Sequence, residues 1–228
     1  SFTNLIHGSA DLIIAARAPS ADELALARQM RVSLRYTPVA LDAFIFIVNR
    51  ANSVTNLSIE QIRGIYTGVI TNWHDVGGTN LPIAVFVRER NSGSQEKMEQ
   101  LVMRGMPMTN ALSLSMSVRM IGPYNALRDW ETGIGYTVQY YDTYMADIPE
   151  VRALAVNCIT PSTENIRARR YPYVTEVYVV WREGLPDDSP AASVRDWLLS
   201  AAGQLAVAES GYVPLASTPM HHQRRGIE

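Results

Sequence analysis

Three times in its first hundred residues this chain repeats one local plan: an apolar run, then a serine opening an S-x-x-[E/Q] spacing, then a helix. Asp11 to Ala16 (DLIIAA) reads as a short buried strand, and Ser20-Ala21-Asp22-Glu23 as a capping box whose helix runs to about Met30. Ala40 to Asn49 (ALDAFIFIVN) reads as a long buried strand. It is followed by Ser58 with Gln61 and a helix carrying Ile59, Ile62 and Ile65 that stops near Gly68. Ile83 to Val87 is a third apolar run. It ends at Arg88, and Ser92-Gly93-Ser94-Gln95 then opens a helix with Met98, Leu101 and Val102 on one face, continuing to Arg104. Such alternation predicts α/β layers with mostly parallel strands, whose ligands sit at the carboxyl ends of strands beside helix starts. Arg88 and Ser92 take that location. So does Arg17, which follows DLIIAA and precedes a capped helix.

The later chain continues the pattern. Gly133 to Val138 reads as a strand, Tyr140 to Ala146 as a short helix and Val151 to Val156 as a strand. Thr160 to Asn165 leads into another short helix. Val174 to Trp181 (VTEVYVVW) is a long β-branched strand, and Ser193 to Ser200 and Gly203 to Glu209 are helical. Gly211 to Pro214 is expected to turn out, and the polar tail from Ala216 to fray. Met103 to Met120 is methionine-rich, which suits adaptable core packing. Asn72-Trp73 reads as a turn with a buried aromatic. Gly133-Ile134-Gly135 lacks the third glycine of a nucleotide loop and is read as packing.

The chemistry concentrates at 85–98. Free N–H groups of a helix's first turn, the hydroxyls of Ser92 and Ser94, and the Arg88 guanidinium would converge on a small tetrahedral oxyanion. Gly93 removes a side chain where a ligand approaches the backbone. Arg17 is a further candidate, with a salt bridge to Asp22 or Glu23 as the competing use. A formal charge of −2 over 228 residues argues against a nucleic-acid partner, and no stretch is long and apolar enough to span a membrane. Cys158 is alone, so no intrachain disulfide is expected. His7, His74, His221 and His222 lack metal-ligand spacing, so neither metal nor cofactor is expected. Ser94 and Lys97 make an S-x-x-K spacing, the nucleophile pattern of penicillin-recognising hydrolases. No S-D-N, K-T-G or second lysine accompanies it, so no catalysis is expected.

Five blocks then follow in order: TNLSIEQIRGIYTGVITNWHDVGG, RERNSGSQ, GIGY, YPYVTEVYVVW and AAGQLAVAESGYVPL. Together they resemble the phosphate-binding, periplasmic-type substrate-binding proteins of bacterial ABC transporters, over roughly Gly8 to Leu215. The resemblance implies a type II periplasmic-binding-protein fold: two α/β lobes joined by crossover strands, with the ligand in the cleft. Lobe one would be 1–45 plus 178–228, and lobe two 46–177. Because the chain starts inside a helix, the N-terminal part of lobe one is expected to be missing. Carried over residue by residue, the ligand set is Arg88, Ser92, Gly93 and Ser94, with serine standing where the family has threonine at 94.

In phosphate-specific members an aspartate follows the DLIIAA-like strand and accepts the proton of hydrogen phosphate. Arg17 stands there in this chain, and arginine donates only. The family thus favours phosphate, while residue 17 leaves sulfate open. The implied function is a non-catalytic, monomeric, extracytoplasmic protein, free in the periplasm or lipid-anchored, that delivers an inorganic oxyanion to ABC transporter membrane subunits. A sensory or orphan anion-binding domain is the alternative.

Overall fold

Long apolar stretches become the strands that organise the molecule. The computed structural model describes residues 1–89, 92–108, 111–113 and 120–215. The tail with His221 and His222, and part of the methionine-rich segment, lie outside the described residues. The chain opens with α1 (Phe2–Ile6), β1 (Leu12–Ala15), α2 (Ala21–Gln29) and β2 (Leu34–Asn49). Then come β3 (Asn56–Leu57), α3 (Ile59–Tyr66), β4 (Ala84–Val87), α4 (Gly93–Lys97) and β5 (Ala111–Ser113). Next are α5 (Gly122–Asp129), β6 (Gly133–Val138), α6 (Gln139–Tyr144), β7 (Val151–Ala153), β8 (Ala155–Val156) and α7 (Thr163–Arg167). The described chain closes with β9 (Val174–Arg182), α8 (Pro190–Leu199), α9 (Ala201–Glu209) and β10 (Val213–Pro214).

The chain divides into two units, Ser1–Asp42 with Thr175–Glu228, and Ala43–Val174. Both divisions fall in long strands: inside β2 and at the start of β9. In the first unit the strand order is β1-β9-β2, with β10 against β2. The segment expected to turn out after Gly211 is therefore a short strand, Val213 pairing with Leu41. Val39, Ala40, Val177, Val179, Leu198 and Val207 form one cluster of its core, and Phe2, Leu5, Ile13 and Val180 another. Gly203 lets α9 start hard against α8, because a Cβ there would lie 1.9 Å from the Trp197 carbonyl oxygen.

In the second unit, residues 43–49 of β2 are buried without interruption, as in a strand covered on both faces. They pair with β6 and with β7. Beyond β6 lie β4 and then β5. Gly133 makes this packing possible: a Cβ would sit 2.5 Å from Leu127 and 2.7 Å from Phe86. At the end of β2, buried Asn49 donates to the carbonyls of Leu127 and Arg128, satisfying the last turn of α5.

The expectation of mostly parallel strands needs correction. β4 runs parallel to β5 and β6, and β3 to β8, but β1/β9, β10/β2, β2/β6 and β2/β7 are all antiparallel. Parallel pairing requires a crossover, and in the larger sheet α4 and α5 lie in the crossovers around β4. A second difference concerns the helix after Ser92. It is α-helical only to Lys97, and Met98–Met103 is a π-helical turn. That wider winding turns Met98, Val102 and Met103 inward, while the Val102 carbonyl accepts from Arg63 Nε at 2.8 Å.

Candidate functional site

β4 lies between two parallel neighbours, so its carboxyl end is flanked by theirs. Arg88 follows its last residue and is buried, 7% exposed. Burial lowers its pKa from the usual arginine value, opposed by its surroundings of Tyr136, Glu89 and Tyr141. An arginine stays protonated in a protein, so a partly desolvated positive charge is held at this strand end.

The helix start follows. Ser92 is the N-cap of α4 and its Oγ accepts from the Gln95 backbone N–H at 3.1 Å. The capping box expected here is only half made. The Gln95 side chain does not return to Ser92. Instead its Oε1 accepts from the Tyr136 hydroxyl, and its Nε2 donates to Glu99 Oε1 at 2.9 Å. The Tyr136 oxygen in turn accepts from the Arg88 backbone N–H at 3.0 Å. Arg88 and the serine turn are thus joined through a buried tyrosine and a buried glutamine. Ser94 is buried, while Gly93 is exposed and a Cβ there would meet nothing within 4 Å. The backbone at Gly93 is therefore approachable.

Arg17 belongs to the other unit and is engaged in the competing manner. Its Nη1 and Nη2 fork onto Glu23 Oε2 and Oε1 at 2.7 and 2.9 Å, Nη1 also reaches the Ala18 carbonyl, and the guanidinium lies over the Phe2 ring. Burial raises the Glu23 pKa. The Arg17 fork and the bonds from Ser20 outweigh that, leaving it below the ordinary carboxylate value.

Residues 3–202 match the family model described as a PBP superfamily domain. The chain belongs to the PBP superfamily. Among its relatives is protein SphX of Synechococcus elongatus, 25% identical over 226 residues, covering 94% of this chain and 66% of SphX. Another is the phosphate-binding protein PstS of Borreliella burgdorferi, 26% identical over 182 residues, covering 78% of this chain and 64% of PstS. This chain thus spans just under two thirds of the length of these curated relatives. Among solved structures, a putative phosphate ABC transporter substrate-binding protein with bound phosphate from Clostridium perfringens is similar. Its TM-score is 0.74 at 26% identity, over 94% of this chain and 83% of that one. An ABC-type phosphate transport receptor from Vibrio cholerae has a TM-score of 0.72 at 25% identity, over 93% and 83%.

Within this PBP-superfamily chain the sequence reading missed Tyr136 and the second use of Gln95. Tyr136 is visible in sequence only as the last residue of GIGY; nothing local marks its hydroxyl as a bridge. It also missed α5 and the pair beside it, where the Tyr124 hydroxyl donates to Asp142 Oδ1 at 2.7 Å. Burial raises the Asp142 carboxyl above its ordinary value, and the Tyr124 bond offsets only part of that. Among the described residues no three His, Cys, Asp or Glu side chains gather into a metal-holding group, and no helix is long and apolar enough to cross a membrane.

Proposed function

We propose that this chain is a non-catalytic, extracytoplasmic solute-binding protein that captures a tetrahedral oxyanion, phosphate in the first place, for the membrane subunits of an ABC importer. It would act as a monomer, without nucleic acid, metal or cofactor. The observation that carries the reading is the buried Arg88 at the carboxyl end of β4, tied to a serine-capped helix start in a PBP-superfamily domain. PstS of Borreliella burgdorferi and the Clostridium perfringens and Vibrio cholerae proteins, all similar to this chain, are phosphate-binding or phosphate-transport proteins. In this proposal Arg88 supplies a charge-assisted fork, Ser92 and Ser94 supply hydroxyls, and Gly93 leaves its N–H open to the anion. Arg17 is a further, weaker contact, since its fork is already engaged by Glu23.

Isothermal titration with phosphate, sulfate and molybdate tests the reading. The wild-type chain should bind phosphate, and Arg88→Ala should lose at least about a hundred-fold in affinity, as loss of a charge-assisted fork does, while melting normally. Unchanged affinity in Arg88→Ala removes that residue from the site. Sulfate competing equally with phosphate would indicate a donor-only site, as an arginine at position 17 suggests.

A further inference from the structure

We infer that Tyr136 is a positioning residue for the anion site proposed above: its buried hydroxyl ties the strand end carrying Arg88 to the helix turn carrying Ser92, Gly93 and Ser94. This holds only if Arg88 and the serine turn bind the anion. A phenol hydroxyl has one proton and accepts through its lone pairs. Here the oxygen receives the Arg88 N–H at 3.0 Å and the proton goes to Gln95 Oε1. Those two bonds settle the orientation of the Gln95 amide. Its oxygen must face Tyr136, and its NH2 then reaches Glu99 Oε1. The backbone N–H of the same glutamine donates to Ser92 Oγ, so the chain of bonds ends on the capping serine.

The tyrosine itself is held fast. Its ring packs against Phe44 and Tyr66 with centroids 5.3 and 5.8 Å apart, and Tyr136 and Gln95 are 1% and 4% exposed. Burial also pushes the phenol above its ordinary pKa, so the donor proton is kept at any physiological pH. Groups from two segments hold one small ion tightly only if their relative placement is fixed beforehand; otherwise binding must order them. One local bond spans the junction, the Ser92 N–H donating to the Glu89 carbonyl at 2.9 Å, and the Gln95 side chain, released from closing on Ser92, adds the tie to Tyr136.

Tyr136→Phe keeps the ring and removes only the hydroxyl. By analogy with the outer partners of metal ligands, whose loss costs about 10–100-fold, phosphate affinity by calorimetry should fall about ten-fold or more. Gln95→Leu should fall likewise, and the double variant should be no worse than the poorer single one. Phe44→Leu, which loosens the same core without touching the hydroxyl, should melt earlier and bind as the wild type does. A Tyr136→Phe protein that melts earlier but keeps its affinity would overturn the inference. So would additive losses in the double variant, or an equal loss in Phe44→Leu. If Tyr136→Phe does not fold, Gln95→Leu alone decides, and wild-type affinity there overturns it. A wild-type chain that binds none of phosphate, sulfate and molybdate defeats the functional reading itself, and this inference with it.

Discussion

At the starts of α2 and α3 the capping serine and the residue three places on close on each other. Ser20 Oγ accepts from Glu23 N–H while the Glu23 carboxylate accepts from Ser20 N–H, and Ser58 and Gln61 do the same. At Ser92 the same spelling gives only the first of these bonds, and the Gln95 side chain goes to a tyrosine from β6. The first two starts are finished structures. The third trades local closure for a tertiary tie, and it is the one next to a buried arginine. Such a tie stabilises little locally but fixes one segment against another, which a binding site needs and a plain helix does not.

The comparison breaks most visibly at the serines. Ser58→Ala should cost about 1 kcal/mol of stability, the usual worth of an N-cap, and leave phosphate affinity untouched. Ser92→Ala should cost a similar amount in denaturant unfolding and also weaken phosphate binding by about ten-fold or more, as loss of a charge-assisted bond does. Equal binding by both variants would mean that the Ser92 start is an ordinary cap.

A cleaner discrimination comes at Gly93. With nothing within 4 Å of an added Cβ, Gly93→Ala should fold as stably as the wild type. A fall in phosphate affinity, read by titration, then reports on the ligand alone. Unchanged affinity removes the Gly93 backbone from the site.

The smallest effect belongs to the closed box. The folded pKa of Glu23 is depressed, so its contribution is present above the ordinary carboxylate range and is lost as pH falls through the folded value. Acid unfolding of Glu23→Gln, compared with wild type, should show the gap between their stabilities closing below about pH 4. Asp142 has the opposite sign. Its raised pKa means stability present at low pH and lost as pH rises, so it cannot account for an acid-side loss.

Much of the fold could be read from particular stretches. Ala40–Asn49 announced β2 because a long apolar run buries on both faces, Val174–Trp181 announced β9 by its β-branched content, and the serine spacings marked the starts of α2, α3 and α4 within a residue. Strand direction was not readable. Whether β2 meets β6 head to tail depends on how the chain returns, not on either strand's residues. Of the candidate site, Arg88, Ser92, Gly93 and Ser94 could be placed at one strand–helix junction because they are neighbours in sequence. Arg17 could be named but not assigned, since Glu23, six residues away, competes for the same guanidinium.

The sequence by itself determined where β2 and β4 end, where α2, α3 and α4 begin and which residue types gather between Val87 and Gln95, because these follow from short-range periodicity and capping. Only the tertiary structure decided where the Gln95 side chain points. A hydrogen-bonding group with two possible partners goes to the one that burial makes costly to leave unsatisfied, and the Tyr136 hydroxyl is 41 residues away.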